Sequence, residues 1–126
     1  VRHYIDLGQR EGAAMLTGGT SAPSVEDRVA RGNFVTPTVF ADVDNRMAIA
    51  QDEIFGPVAC LIPFDDEADA VRQANDIRYG LSSYVFTENL GRAHRVAAAI
   101  EAGMVFVNSQ NVRDLRQPFG GIKASG

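Results

Sequence analysis

The chain has 126 residues, of which 45% are apolar, and its 12 basic and 16 acidic side chains give a formal net charge of −4. This acidic balance argues against a nucleic-acid binder or a binder of anionic membranes, because both carry a basic excess. The single cysteine, Cys60, excludes an internal disulfide framework and a cysteine-cluster zinc site, and it favours a reducing, cytoplasmic compartment. No apolar run reaches the roughly 18 residues of a membrane span, and no signal peptide is visible.

The amino-terminal half carries weaker patterns than the rest of the chain. Its predicted elements are, in chain order, a helix over residues 1–12, a short apolar run at 13–16, a loop at 20–33, a β-rich segment at 34–40 and a short helix at 46–50. Gly8 or Gly12 is expected to end the first helix. Pro37 restricts the β-rich segment to an edge strand or a bulged strand, because proline cannot donate to a sheet ladder.

The pattern is sharper from residue 57 onward. The predicted elements are a strand at 58–64, a helix that starts at the acids 65–67 and stops at Gly80, a strand at 83–86, a helix over 90–100 that is capped by Thr87 or Asn89 and ended by Gly103, and a strand at 104–107. The first of these strands is almost wholly apolar, which is typical of a strand buried on both faces. This order predicts an α/β fold with two consecutive βαβ units and a mainly parallel sheet in one domain.

The segment that follows the last predicted strand has no periodicity. Residues 108–126 are rich in glycine and arginine. In open α/β sheets the loops beyond the carboxyl ends of the strands carry ligand sites. Position alone therefore predicts a functional loop here.

Three features that suggest chemistry are better explained by structure. Cys60 lies within an apolar strand with no basic neighbour to lower its pKa, so we assign it to the core and not to nucleophilic catalysis. His3 and His94 lack the spacing of metal ligands. The stretch 121–125 lacks the spacing of a phosphate-binding loop, so its glycines are expected to serve a turn or a close backbone approach.

The acids Asp52 and Glu53 stand before an aromatic residue, Phe55, and a Gly-Pro turn. A carboxylate in such a loop is able to accept two hydrogen bonds from a vicinal diol while the ring packs on a flat ligand. The alternative is a solvated acidic loop with a phenylalanine that only packs.

Four motifs, in order and at matching distances, make the whole chain resemble the NAD(P)-dependent aldehyde dehydrogenases. They are Gln51-Asp52-Glu53-Ile54-Phe55-Gly56-Pro57-Val58, then Asn75-Asp76 with Tyr79-Gly80-Leu81-Ser82, then Gly103-Met104-Val105-Phe106-Val107-Asn108, and Pro118-Phe119-Gly120-Gly121-Ile122-Lys123-Ala124-Ser125-Gly126. In that family a cysteine thiolate attacks the aldehyde, hydride passes to the nicotinamide, and a glutamate base assists release of the acid by water. The resemblance implies that the nucleophile, the base and the nucleotide-binding domain all lie upstream of Val1.

The resemblance also implies roles for individual residues. Glu53 would bind the hydroxyls of the nicotinamide ribose, and Phe55 would lie against the nicotinamide end of NAD or NADP. Phe119 would stand beside the aldehyde tunnel, and Asn108 would begin the loop that borders it. The intact enzyme is expected to be a homo-oligomer, a dimer or a tetramer, that acts on a small aldehyde.

The substrate expectation comes from the loop at residues 108–117. It lacks the aromatic residue that many relatives carry, and it holds Arg113 and Arg116, which suit a substrate carboxylate. The loop is similar to that of 5-carboxymethyl-2-hydroxymuconate semialdehyde dehydrogenases, which act on an acidic semialdehyde from aromatic-acid breakdown. The alternative for each arginine is a surface salt bridge, with Asp114 as one partner.

Two functions follow for the chain. The first is the carboxyl-terminal part of an aldehyde dehydrogenase catalytic domain, truncated at both ends and inactive alone. The second is a non-catalytic α/β binding or interaction module derived from the same scaffold, since a fold does not fix a function.

Overall fold

The computed structural model describes residues 1–26, 32–110, 112 and 114–126. Their elements are α1 (Arg2–Arg10), β1 (Ala14–Thr17), β2 (Thr38–Ala41), α2 (Ala48–Gln51), β3 (Val58–Cys60), α3 (Glu67–Asn75), β4 (Tyr79–Gly80), β5 (Ser82–Val85), α4 (Leu90–Ala99), β6 (Met104–Val107) and β7 (Ile122–Lys123). The chain forms two compact units, Val1–Pro63 and Phe64–Gly126. No helix among the described residues is both long enough and apolar enough to cross a membrane.

The first unit is a three-stranded sheet with two helices. β2 lies in the middle, antiparallel to β1 and parallel to β3. The core consists of buried apolar residues from the helices, the sheet and the connecting segments: Ile5, Ala13, Phe40, Val43 and Ile49. Gly8 does not end α1 but lies within it. A Cβ at this position would stand only 2.9 Å from Ile49 and 3.1 Å from Phe40. The glycine therefore lets α1 approach the core.

The prediction of an edge strand around Pro37 is wrong, because β2 has a partner on each side. Pro37 stands one residue before β2, so its missing N–H lies outside the ladder. The irregularity falls instead on β1, where the register shifts between Met15 and Thr17. Thr38 is buried, and its hydroxyl accepts a hydrogen bond of 3.0 Å from the backbone N–H of Gly19.

β3 is shorter than predicted and has one covered face. Val58 and Cys60 pack against the core of the first unit, whereas Leu61 is 52% exposed and Phe64 is 62% exposed. The prediction of a strand buried on both faces is therefore wrong for the described residues. Ile5 of α1 and Ile49 of α2 belong to the core against which Val58 and Cys60 pack, whereas Ala59 between them is exposed.

The second unit contains the predicted parallel pair. β5 and β6 pair in parallel over four residues each, and α4 connects them, which confirms one βαβ unit. Each helix is capped by one of the candidates from the sequence. Asp66, one of the three acids at 65–67, accepts a hydrogen bond from the N–H of Asp69, and Asn89, not Thr87, accepts one from the N–H of Arg92, each at 2.8 Å. β4 and β7 form a second, antiparallel pair.

The α/β class is confirmed, but the strand pairing differs from a single, mainly parallel sheet. The described strands form three small sheets, of which one is mixed, one parallel and one antiparallel. β3, predicted to begin the first βαβ unit, pairs with β2. Apolar runs identify strands because they report burial, but they carry no information about which strand is the partner.

Candidate functional site

The loop that carries Glu53 and Phe55 is fixed at both ends within the first unit. The hydroxyl of Tyr4 donates a hydrogen bond of 3.2 Å to the Asp52 carboxylate. Val1 packs over Gly56 so closely that a Cβ on this glycine would lie 2.5 Å from the valine side chain. The carbonyl of the next residue accepts a hydrogen bond of 2.9 Å from the N–H of Thr38 at the start of β2. These contacts hold the loop in place, and the side chains of Glu53 and Phe55 remain exposed to solvent.

Phe55 has an unusual backbone and an unusual exposure. Its φ is +43°, and its side chain is 88% exposed. The left-handed region costs a residue with a Cβ roughly 1–2 kcal/mol. Because the ring of Phe55 is almost fully exposed, its burial offsets very little of this cost. Strain of this kind collects at functional sites. Glu53, two residues earlier on the same loop, is also exposed. A carboxylate suits the hydroxyls of a ribose diol, and an exposed ring suits a flat aromatic ligand.

A second candidate site lies within the other unit, between β6 and the loop that follows it. It is a groove of about 220 Å³. Its walls are mainly apolar and include two polar side chains: Met104, Phe106, Val112, Asp114, Leu115, Gln117, Pro118 and Phe119. Phe119 is 66% exposed, and Phe106 is backed by the ring of Tyr84 in a stacked contact of 5.5 Å. An apolar groove with a few polar groups is the usual form of a small-molecule site.

Asn108 anchors the loop at the carboxyl edge of the β5–β6 sheet. Its side-chain oxygen accepts from the N–H of Thr87 at 2.9 Å, and its side-chain nitrogen donates to the carbonyl of Thr87 at 2.8 Å. Its own N–H donates to Val85, and its φ is +49°. The amide thus bonds the backbone of the neighbouring loop and sets the direction in which the chain leaves β6.

Arg116 pairs with Asp114, which is the alternative that the sequence left open. The Nε of Arg116 donates to one carboxylate oxygen at 2.9 Å, and its Nη2 donates to the other at 2.6 Å. The hydrogen bonds from Arg116 hold the pKa of Asp114 below its usual range, and the same pair raises the pKa of Arg116. Asp114 itself lines the groove, so a residue considered only as a counter-ion belongs to the site. Arg113 lies outside the described residues.

Cys60 has the properties of a core thiol. It is half-buried, its Sγ lies 3.5 Å from the carbonyl oxygen of Ile49, and burial raises its pKa. A raised pKa disfavours the thiolate, which is the nucleophilic form. This agrees with its assignment to the core. The part of the chain that the structure describes contains no group of three or more His, Cys, Asp or Glu side chains placed to hold a metal ion.

Comparison with known proteins gives a consistent result along the whole chain. The model of the aldehyde dehydrogenase family matches residues 1–126. The chain is 60% identical over 124 residues to the 5-carboxymethyl-2-hydroxymuconate semialdehyde dehydrogenase of Escherichia coli, covering 98% of this chain and 26% of that protein. It is 42% identical over 127 residues to the 2-aminomuconic semialdehyde dehydrogenase of Bos taurus, covering 100% of this chain and 26% of that protein.

Solved structures agree with this match. HpcC from Thermus thermophilus superposes with a TM-score of 0.93 at 54% identity, over 99% of this chain and 24% of that one. A Mycobacterium tuberculosis aldehyde dehydrogenase complexed with NAD+ superposes with a TM-score of 0.89 at 43% identity, over 98% of this chain and 25% of that one. The chain therefore spans about a quarter of the length of these relatives.

Proposed function

Because this chain belongs to the aldehyde dehydrogenase family, we propose that it forms part of a full-length enzyme that oxidises an aldehyde to a carboxylic acid with NAD or NADP. The observation that carries the proposal is the pair of Glu53 and the strained, exposed Phe55, which matches the family motif in sequence and suits a nucleoside in shape. The chain contributes binding surfaces to that enzyme. The only cysteine of the chain, Cys60, is a core thiol, which supports a nucleophile outside residues 1–126. The resemblance to the family implies that the general base also lies upstream of Val1.

Glu53 and Phe55 bind the nicotinamide half of the coenzyme. The two carboxylate oxygens of Glu53 accept hydrogen bonds from the two ribose hydroxyls, and the negative charge strengthens both bonds. The ring of Phe55 gives the nicotinamide a flat, apolar surface. The coenzyme supplies the hydride acceptor of the reaction. Support for a nicotinamide coenzyme comes from the Mycobacterium tuberculosis relative, which is complexed with NAD+.

The groove beside β6 binds the aldehyde, and the substrate is an acidic semialdehyde. Phe106 and Phe119 exclude water from the apolar part of the substrate. The side chain of Arg116 is 90% exposed and is not among those that line the groove. It binds the carboxylate where that group projects from the groove, through the guanidinium edge that does not face Asp114, and Arg113 is a second candidate for the same role. The names of two relatives, a hydroxymuconate and an aminomuconate semialdehyde dehydrogenase, support a substrate of this class from aromatic breakdown.

The test is carried out on the full-length protein that contains this chain. We expect NAD- or NADP-dependent oxidation of an acidic semialdehyde, followed by absorbance of the reduced coenzyme. Arg116→Ala should raise the KM for the acidic semialdehyde about tenfold, equivalent to about 1.4 kcal/mol, because a charge-assisted contact is lost. The KM for a neutral aldehyde of similar size should change less than about twofold, since it makes no such contact.

Two outcomes contradict these proposals separately. Equal effects of Arg116→Ala on both aldehydes would remove the carboxylate role and leave the oxidation intact. A full-length protein that oxidises no aldehyde with either coenzyme would favour the non-catalytic module.

A further inference from the structure

Lys123 is the single lysine of the chain, and all the other basic side chains counted with it are arginines. Its side chain is only 22% exposed. The ammonium donates to the backbone carbonyls of Asn75 at 2.7 Å and Ile77 at 3.1 Å, and it pairs with the Glu101 carboxylate at 2.7 Å. A compact ammonium has three donors that point in different directions, whereas the donors of a guanidinium lie in one plane. The residue type therefore matches its three acceptors.

The acceptors of Lys123 lie at the carboxyl ends of α3 and α4. Asn75 is the last residue of α3, where unpaired carbonyls and the negative end of the helix dipole favour a cation. The side chain of Asn75 also donates to the carbonyl of Ala99 at 2.9 Å and accepts from the N–H of Glu101 at 2.8 Å. We call Asn75, Ile77, Glu101 and Lys123 the amino-edge cluster, because they surround the amino ends of β5 and β6.

The cluster also fixes the route of the carboxyl-terminal segment. Lys123 has a φ of +55° and pairs with Tyr79 across β7 and β4. Three residues earlier, the carbonyl of Gly120 lies against Gly103, and a Cβ on Gly103 would collide with it. Gly103 directly precedes β6. The segment from 120 to 123 is thus held against the amino edge of the same sheet.

Phe119 is the residue next to this anchor. The loop leaves β6 at Asn108, at the carboxyl edge, and returns at Gly120, at the amino edge. In between it has no helix or strand among its described residues. Arg116 and Gln117 bond Asp114 within the loop, so its middle has contacts of its own. Phe119 directly precedes Gly120, whose carbonyl lies against Gly103, so the anchor at the amino edge restricts where this part of the groove wall lies.

We propose that Lys123 is a positioning residue for the aldehyde groove: through the amino-edge cluster it holds Phe119 in the wall of the groove that Phe106 also lines. This inference rests on the proposed function, because it assigns the groove to the substrate. Lys123→Met leaves two carbonyls and one carboxylate without their donor, so the anchor loosens and the wall moves. An aldehyde large enough to touch Phe119 loses binding, whereas a two-carbon aldehyde does not reach the wall.

The experiment compares Lys123→Met with Arg72→Met in the full-length protein. Arg72→Met is the matched control, because it also removes one cation and one ion pair, with Asp69 on α3, in the same unit. For Lys123→Met we expect the KM for phenylacetaldehyde to rise about tenfold, with kcat and the KM for acetaldehyde changed less than about twofold. Hydrogen exchange in the peptide 115–121 should become about tenfold faster. Arg72→Met should change none of these values.

A second variant covers the case in which Lys123→Met does not fold. Glu101→Gln keeps the two carbonyl contacts of Lys123 and removes only the charge pair. The KM for phenylacetaldehyde and the exchange rate of the peptide 115–121 should therefore each rise about threefold. Equal effects on the two aldehydes, a lower kcat at constant KM, or unchanged exchange in 115–121 would overturn the positioning role. If the protein oxidises neither these two aldehydes nor an acidic semialdehyde, the proposed function fails, and the exchange comparison alone decides whether Lys123 holds the wall.

Discussion

At the scale of single residues, Phe55 combines a cost to the fold with an exposed ring. Its left-handed backbone is a conformation that glycine adopts freely. Phe55→Gly should therefore raise the stability of the full-length protein by about 1 kcal/mol relative to Phe55→Ala, which keeps the strain and removes the same ring. Both variants should weaken coenzyme binding about tenfold, since both lose the flat surface for the nicotinamide.

Thermal unfolding and coenzyme titration of the two variants separate strain from binding. If the glycine variant is no more stable than the alanine variant, the backbone of Phe55 is not strained. If both variants bind the coenzyme as tightly as the parent, the ring is not part of the coenzyme site. The motif around Glu53 and Phe55 was visible in the sequence, but the strain was not, because φ depends on how the loop is anchored.

At the scale of elements, α3 and α4 are joined near their amino ends by Glu67. This carboxylate accepts from Arg95 at 2.9 Å and from Arg92 at 3.1 Å. The hydrogen bonds from Arg95, followed by those from Arg92, lower the pKa of Glu67 from its usual value of 4.5. A lowered pKa in the folded state favours folding when the group is ionised. The contribution is therefore present above the unfolded pKa and lost as the pH falls through the folded pKa.

The pH dependence of unfolding tests this helix pair. Glu67→Gln should lower the urea midpoint of the full-length protein near pH 7, and the difference from the parent should shrink as the pH falls below the usual pKa of 4.5. The effect should be small, because the pair is exposed and screened by solvent. Glu88→Gln is the control, because Glu88 forms no ion pair in the described part of the chain. A difference for Glu67→Gln that does not change with pH would exclude this role of the carboxylate.

The helix ends show where local patterns stop being sufficient. The sequence narrowed the caps to the acids 65–67 and to Thr87 or Asn89, because a cap is a bond to a backbone group three residues away, and the structure selects Asp66 and Asn89. Gly80 and Gly103 were expected to end the two helices, but α3 ends at Asn75 and α4 at Ala99. The side chain of Asn75 bonds the end of α4, and the ammonium of Lys123 takes the carbonyl of Asn75. These contacts come from distant residues, so no local pattern predicts them.

At the scale of the whole molecule, the proposed binding surfaces and the proposed nucleophile lie on different parts of the full-length protein. Cys60 is a core thiol of raised pKa, and Phe55 and Phe119 are largely exposed. We expect the purified 126-residue chain to produce no reduced coenzyme with any aldehyde, whereas the full-length protein does. Absorbance of the reduced coenzyme measures both. Turnover by the chain, free of full-length protein, would contradict a nucleophile outside residues 1–126. The homo-oligomer, a dimer or a tetramer, stays a prediction.

The family, the α/β class, the candidate caps and the motif of Glu53 and Phe55 were all readable from the amino-acid sequence. These depend on residue types at short separations, and short-range bonding and burial preferences act on them directly. Three features became visible only in the folded chain: β3 pairs with β2, Arg116 forms an ion pair with Asp114, and the single lysine bonds the end of α3. Each of these depends on the direction of a backbone bond or side chain set by packing, and residue type alone leaves that direction open.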